Sequence, residues 1–438
     1  MKTSARKPRA GMLLAALLAV GSTALSADSA SSLADAFKDH FKVGSAINRN
    51  ITTGRAGFRR TAEEVAKDGA LVKAQFNHVV AENEMKWSSL HPQPGKEGYD
   101  WAAADAFVEF GVNHRMELAG HTLVWHSQTP NWVFAGTHLP PDSGKESKPA
   151  GEENRGEPLA PAPSAGPPRD GVRGPDRGAG GRRFGGFGGG RPFDLEGPRA
   201  SREELLERMR EHIHTVVGRY KGKIKVWDVV NEAIADGGPE VLRRSPWSVI
   251  IGPDFIEKAF QYAHEADPDA ILRYNDYGLE NPAKRKKLIT LIKGLQEKKV
   301  PVMAIGSQAH LNVSITFETM DQSLAEMKSL GLPIHITELD VNGATGGQRN
   351  TGADVSANAA ATEGGLVVEA DRRLTEAYVG VFRAFLKHRD AVKLVTFWGP
   401  NDANSWRSRG RPLLFDGDSK PKPAFHAVLE LATAPTAP

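Results

Sequence analysis

The chain has 438 residues, with 45 glycines, 28 prolines and no cysteine. Residues 141–200 alone hold 15 of the glycines and 10 of the prolines, so the bias is local. A collagen-like or wholly disordered chain is excluded, and the length suits one large domain or two small ones. Of the formal net charge of +3, Lys2, Arg6, Lys7 and Arg9 outweigh the whole, which leaves a near-neutral remainder with no electrostatic case for nucleic acid.

Those four basic residues precede an apolar run at 11–20 and the small residues Ala24-Leu25-Ser26-Ala27. That order predicts a signal peptide over 1–27, too short to span a bilayer, and a secreted protein, extracellular or periplasmic. With no disulfide framework available, its stability must come from a large core; thiol catalysis and Cys-based metal sites are excluded. Beyond residue 40, β-prone runs fall at 41–46, 74–80, 116–125, 224–230, 270–274, 302–308, 334–339 and 392–398. Amphipathic helical stretches lie between most of them, at 101–110, 203–217, 255–264, 284–297, 320–329 and 371–386, the second preceded by the capping box Ser201-Arg202-Glu203-Glu204. Eight strands with intervening helices predict an α/β fold, a (β/α)8 barrel in preference to an open doubly wound sheet. The segment 137–200 interrupts the pattern after the third strand. Acidic, then Pro-rich, then Arg/Gly-rich, with six Arg and two Asp in 169–191, it predicts a disordered low-complexity insertion.

A barrel carries its chemistry at the C-terminal ends of its strands. There the sequence places Glu82, Asn83, His121, Asn231, Glu232, Asn275, Gln308, His310, Glu338 and Trp398. Glu232 and Glu338 each end an apolar run, and a buried carboxylate must be paired, hydrogen-bonded or protonated. Two such groups meeting over a barrel mouth are what glycosidic cleavage needs; unrelated salt bridges are the plainer alternative.

Seven stretches in order carry a resemblance: Glu82 to Trp87, His121 to Gln128, Trp227 to Ala233, Asn275-Asp276-Tyr277, Gly306 to Leu311, Ile336 to Val341, and Thr396 to Gly399. With them the chain resembles glycoside hydrolase family 10, the retaining endo-β-1,4-xylanases, over roughly 35–136 and 200–432. The resemblance implies one catalytic barrel over 28–432, interrupted by 137–200 and followed by a tail at 433–438. It also implies a monomer with no cofactor and no metal, acting on xylan or xylo-oligosaccharides. Glu232 would be the acid/base, protonated at the start, and Glu338 the nucleophile, with carboxyl groups about 5–5.5 Å apart. His310 would donate to Glu338, with Asp340 orienting the imidazole, and Asn231 would bond the 2-hydroxyl of the cleaved sugar. Glu82, Asn83 and Lys86 would grip the next sugar; His121, Trp125 and Gln128 would line the cleaved one. Asn275 and Gln308 join the substrate-binding set, and Trp398 and Trp406 would form aromatic walls that crowd out a hydroxymethyl group. His126 is expected to point away from the cleft, and Trp101 and Trp247 to belong to the core.

Two small departures stand out. Pro400-Asn401 replaces the family's small β-branched pair, removing an amide donor near the loop that carries Trp406, and Gly278 stands where the family often has Asn. Altered subsite preference with retained activity is expected. The larger departure is the insertion, whose arginines would meet acidic xylan substituents or a cell-surface polymer. A related β-glycanase, an exo-acting enzyme and a non-catalytic carbohydrate-binding barrel remain the alternatives, the last disfavoured by the presence of both glutamates.

Overall fold

The computed structural model describes Met1 and residues 32–136, 198–343 and 365–433. All but Met1 of the expected signal peptide, all but three residues of the insertion and nearly all of the tail lie outside these. Residues from Ser32 onward form one unit. Its strands are β1 (Lys42–Ile47), β2 (His78–Ala81), β3 (Glu117–Trp125), β4 (Ile224–Asn231), β5 (Ile271–Asp276), β6 (Ala304–Ser307), β7 (His310–Asn312), β8 (Ile334–Asn342) and β9 (Val392–Phe397). Every pairing is parallel, each barrel strand beside the next in sequence. The sheet closes through β9 on β1 and β6 on β8, giving the expected (β/α)8 barrel of eight strands. β7 is a short extra strand laid along the far end of β8, with His310 opposite Asp340.

Helices Ala102–Asn113, Arg202–Arg219, Phe255–Ala266, Pro282–Glu297, Phe317–Lys328 and Gly365–Lys387 cover the outside, each overlapping its predicted stretch. One predicted element is corrected. Residues 74 and 75 close the helix Ala62–Gln75, and the second strand begins only at His78. This helix starts with a full capping box, Thr61 with Glu64, yet its buried face includes Asp68 and Gly69. The apolar stripe that would have revealed it is broken by those two residues.

Inside the barrel, Ala46, Val80, Ala119 and Val226 lie in one register row across β1 to β4, and Trp398 packs on them. The small side chains let the indole settle over the barrel end. Towards β5 and β8 the interior turns polar. The insertion leaves and returns at one neck, where the Gly136 amide donates to Pro198 O at 2.7 Å and the Ala200 amide to Phe134 O at 2.9 Å. Among the described residues no helix is long and apolar enough to cross a membrane.

Candidate active site

Glu232 follows the last residue of β4, where the chain turns into a left-handed conformation (φ 56°) fixed by the bond from its amide to Asn275 O at 2.9 Å. An L-residue held there is strained, and such strain occurs at functional positions. Its carboxylate receives Trp125 Nε1 on Oε2 at 2.9 Å and Gln308 Nε2 on Oε1 at 3.0 Å. Both donors are neutral.

Glu338, within β8 and 5% exposed, has a different environment. Asn275 Nδ2 donates to Oε1 at 2.8 Å, and His310 Nε2 lies 3.2 Å from Oε2. His310 Nδ1 lies 3.0 Å from Asp340 Oδ2, which also accepts from Trp406 Nε1 at 2.8 Å, while Arg407 Nη1 donates to Asp340 Oδ1 at 2.9 Å. Burial alone would push the imidazole down; the charge of Asp340, its hydrogen bond and the bond to Glu338 lift it to about 9. It is therefore an imidazolium at neutral pH, donating from both nitrogens. Burial pushes the Glu338 carboxyl up, but the His310 bond and the charges of His121 and His310 outweigh it and hold the group below its ordinary value. Asp340 is likewise raised by burial and brought low by Arg407 and His310.

Three amides join the two carboxylates. Asn231 Oδ1 accepts from Asn275 Nδ2 at 3.0 Å and from Gln308 Nε2 at 3.2 Å, so its own NH2 is left as the donor for a ligand. The hydrogens of Asn275 Nδ2 are taken by Asn231 and Glu338, and its carbonyl accepts from Thr337 Oγ1 at 2.7 Å. Asn275 is 0% exposed. Its expected place among the substrate contacts is therefore corrected: no amide hydrogen remains for a sugar, and the side chain instead links Glu338 to Asn231. Gln308 spends both Nε2 hydrogens the same way, on Asn231 and Glu232.

The other expected residues surround this centre. His121 and Trp125 share a face of β3, rings 6.4 Å apart, and His121 Nδ1 is 3.0 Å from Asp228 Oδ2. Lys86 donates to Asn83 Oδ1 at 2.9 Å and lies 5.2 Å from the Trp125 ring centroid. Burial lowers its ammonium, opposed by the charges of Glu82, Glu338 and Glu232. Burial and the charge of Glu84 push the Glu82 carboxyl up to about 7. Gln128 is left-handed (φ 47°), and its carbonyl accepts from the Ser88 amide at 2.9 Å. Trp398 stands edge-on to His121 at 5.4 Å and Trp406 to His310 at 5.0 Å. Trp247 is buried and donates to Trp125 O at 2.9 Å, whereas Trp101 lies at the core's edge under Arg219. His126 is pushed down to about 4 by burial and the charge of Arg243. No cluster of three or more metal-ligating side chains occurs among the described residues.

The sequence departures find local reasons. Gly278 has φ 64°, a conformation that glycine and asparagine tolerate better than other residues. Asn401 is fully buried and donates to Asp68 Oδ1 at 2.6 Å and Ser419 Oγ at 2.8 Å, while its Oδ1 accepts from the Asn404 amide at 3.1 Å. It thereby ties the loop of Trp406 to the helix Ala62–Gln75. Thr337, Arg407, Asp228 and Arg273 were not among the expected site residues. Arg273 did leave a signal, a charge two residues before Asn275 in an otherwise apolar strand and hence on the same inward face.

Comparison with known proteins agrees with this geometry. The sequence profile of glycosyl hydrolase family 10 matches residues 32–146 and 193–431, omitting the middle of the insertion. An endo-1,4-beta-xylanase of Geobacillus stearothermophilus is 35% identical over 91% of this chain and 98% of its own. Endo-1,4-beta-xylanase A of Caldicellulosiruptor sp. (strain Rt8B.4) is 35% identical over 92% of this chain, which spans about half (48%) of that protein. The solved structure of an endoxylanase from a sugarcane soil metagenome superimposes with a TM-score of 0.70 at 33% identity, covering 92% of this chain and 100% of its own. The barrel, the pairing of Glu232 after β4 with Glu338 in β8 and these matches agree, and the chain belongs to glycosyl hydrolase family 10, as a glycoside hydrolase.

Proposed function

We propose that the protein is a secreted, retaining endo-1,4-β-xylanase that cuts internal β-1,4-xylosidic bonds by double displacement. The observation that carries the assignment of roles is the asymmetry between the glutamates. Glu338 is bonded to a cation, His310, and kept ionised, whereas Glu232 is bonded only to an indole and an amide. The ionised group is the nucleophile and the group with neutral donors the acid/base.

In the first step Glu338 attacks the anomeric carbon as Glu232 gives its proton to the departing oxygen, and the glycosyl–Glu338 ester forms. In the second, Glu232 takes a proton from water, whose oxygen displaces Glu338. Asn231, with its carbonyl already bonded twice, turns its NH2 to the sugar 2-hydroxyl, a contact that strengthens as positive charge develops. Trp398 and Trp406 offer indole faces to sugar C–H groups, and their bulk favours a pentose, which lacks the hydroxymethyl arm. The xylanase names of the relatives support the substrate class, and the order of residues 1–27 supports export. A monomer is the expected state.

The decisive assay is reducing-sugar release from xylan beside a Glu338→Ala control. Release well above the control is expected; release equal to it would contradict the enzyme assignment. Short internal products separate an endo-acting enzyme from an exo-acting one. For the insertion, we propose contact between its arginines and acidic xylan substituents or a surface polymer. Unchanged activity on glucuronic-acid-substituted xylan and unchanged cell attachment after excision of 141–197 would end that idea.

A further inference from the structure

Beneath the two glutamates the barrel interior holds an ion pair that the double displacement does not use. His121, Asp228 and Arg273 lie side by side in the register of β3, β4 and β5, each at most 2% exposed. Arg273 closes on Asp228 with two bonds, Nε to Oδ1 at 2.7 Å and Nη2 to Oδ2 at 3.1 Å. Its Nη1 crosses the barrel to His335 Nδ1 on β8 at 3.1 Å. Burial and the guanidinium push His335 down to about 3, so the ring is neutral and accepts. Gly306 of β6 makes room for the crossing: a Cβ there would lie 2.4 Å from Asn275 Oδ1 and 3.2 Å from Arg273 Cδ.

A guanidinium so completely withdrawn from water is costly even when paired, and a layer of packed apolar side chains is often as stable or more so. The contacts of the pair point upward, to the reaction centre. Asp228 Oδ2 holds His121 Nδ1, which leaves Nε2 as the nitrogen available to a sugar hydroxyl. Among the charges acting on Glu338, those of His121 and His310 favour its ionised form and that of Asp228 opposes it. Burial pushes the Asp228 carboxyl up, yet the charge of Arg273 and its bonds to His121 and Arg273 outweigh burial and bring it to about 2.

We propose that Arg273 is a positioning residue for glycoside cleavage: its charge offsets that of Asp228, so that His121 is held by an ionised carboxylate while Glu338 is spared an uncompensated negative neighbour. The proposal rests on Glu338 as nucleophile. The other charged or titratable groups around Glu338 are Lys86 after β2, Glu232 after β4, His310 of β7, Asp340 of β8 and, beyond Asp340, Arg407. His78 and Glu117 act on His335 from further off. All of these are unchanged in the variants below.

The test is the pH dependence of kcat/KM on a xylo-oligosaccharide, whose acid limb reports the ionisation of the nucleophile in the free enzyme. In Arg273→Met the acid limb is expected to move up by about one unit, a roughly tenfold loss of kcat/KM on the acid side. In Asp228→Asn, where Arg273 stands uncompensated, the limb is expected to move the other way. The double variant returns it to the wild-type position, with kcat still low because His121 has lost its carboxylate. A purely structural role would lower the melting temperature and leave the limb where it was. An unmoved limb in folded Arg273→Met, or a double variant that fails to restore it, overturns the proposal. Should Arg273→Met not fold, the near-isosteric Asp228→Asn decides alone, and an unmoved or raised limb overturns it. Glu338→Ala runs alongside. If that control keeps wild-type activity, the nucleophile assignment falls; if it is inactive and the limbs do not move, only the role of Arg273 falls.

Discussion

Asp340→Asn is the most informative change near the centre, because it alters one charge and almost no volume. In the wild type Asp340 first and Glu338 second lift His310 from an ordinary value of 6.5 to about 9, against burial, which pushes it down. With an amide in its place the imidazole keeps its burial and loses its main charge partner. Its titration midpoint is expected to fall by at least about two units, which is roughly 3 kcal/mol of interaction at one unit per 1.36 kcal/mol. The sign of the stability effect follows from linkage. A group raised on folding contributes stability fully present below its unfolded value, near 6.5, and lost as pH rises through about 9. The stability gap between wild type and variant is therefore widest near pH 6 and narrows towards pH 10. In activity, Glu338 loses a charge-assisted donor, worth about 1.5–3 kcal/mol, so kcat/KM at pH 7 is expected to fall roughly 10- to 100-fold. Titration of His310 by NMR, with denaturant melts at pH 6 and pH 10, measures both consequences. A midpoint in Asp340→Asn within about half a unit of wild type would show that Asp340 does not hold the His310 charge.

Other consequences follow from single contacts. Trp125→Phe removes the donor to Glu232 Oε2 and keeps most of the ring; kcat on xylan is expected to drop about tenfold, the equivalent of one lost hydrogen bond, with little change in melting temperature. Asn401→Ala strips a donor from the fully buried Asp68 and a cap from the turn before Trp406, and a loss of about 1–3 kcal/mol is expected in a denaturant melt. Gly278→Asn is expected to be nearly neutral and Gly278→Val to cost about 1–2 kcal/mol, because only the second forces a β-branched residue to φ 64°; thermal melts of both variants check it.

How much of this was legible in the sequence depended on whether a residue's job shows in its neighbours along the chain. All eight barrel strands were, because parallel strands buried on both faces are continuous apolar runs. The helix Ala62–Gln75 was not, since its buried face spends positions on Asp68 and Gly69, and Asp68 is held by Arg60 just before the helix and by Asn401 and Asn404, more than 330 positions away. β7 was missed for a similar reason: three residues long, it is defined by its partner β8 and by little of its own. Within the site, Glu232, Glu338 and His310 stood out as polar groups at the ends of apolar runs, while Asp340 entered only through the family resemblance. The task of Asn275 did not, because an amide looks the same in sequence whether it faces a sugar or a carboxylate and a second amide. Arg273 was visible as an anomaly, but its partner Asp228 sits on another strand, where spacing along one segment carries no information.

As the proposed nucleophile, Glu338 forms a covalent glycosyl-enzyme intermediate. A xylobioside carrying 2-fluorine and an activated leaving group slows the second step more than the first, so that the intermediate accumulates. Intact-protein mass after incubation is expected to rise by one fluoroxylobiosyl unit, with peptide mapping placing the added mass on Glu338. Label on another residue, or turnover of xylan with no label and inverted product configuration, would rule Glu338 out as the nucleophile.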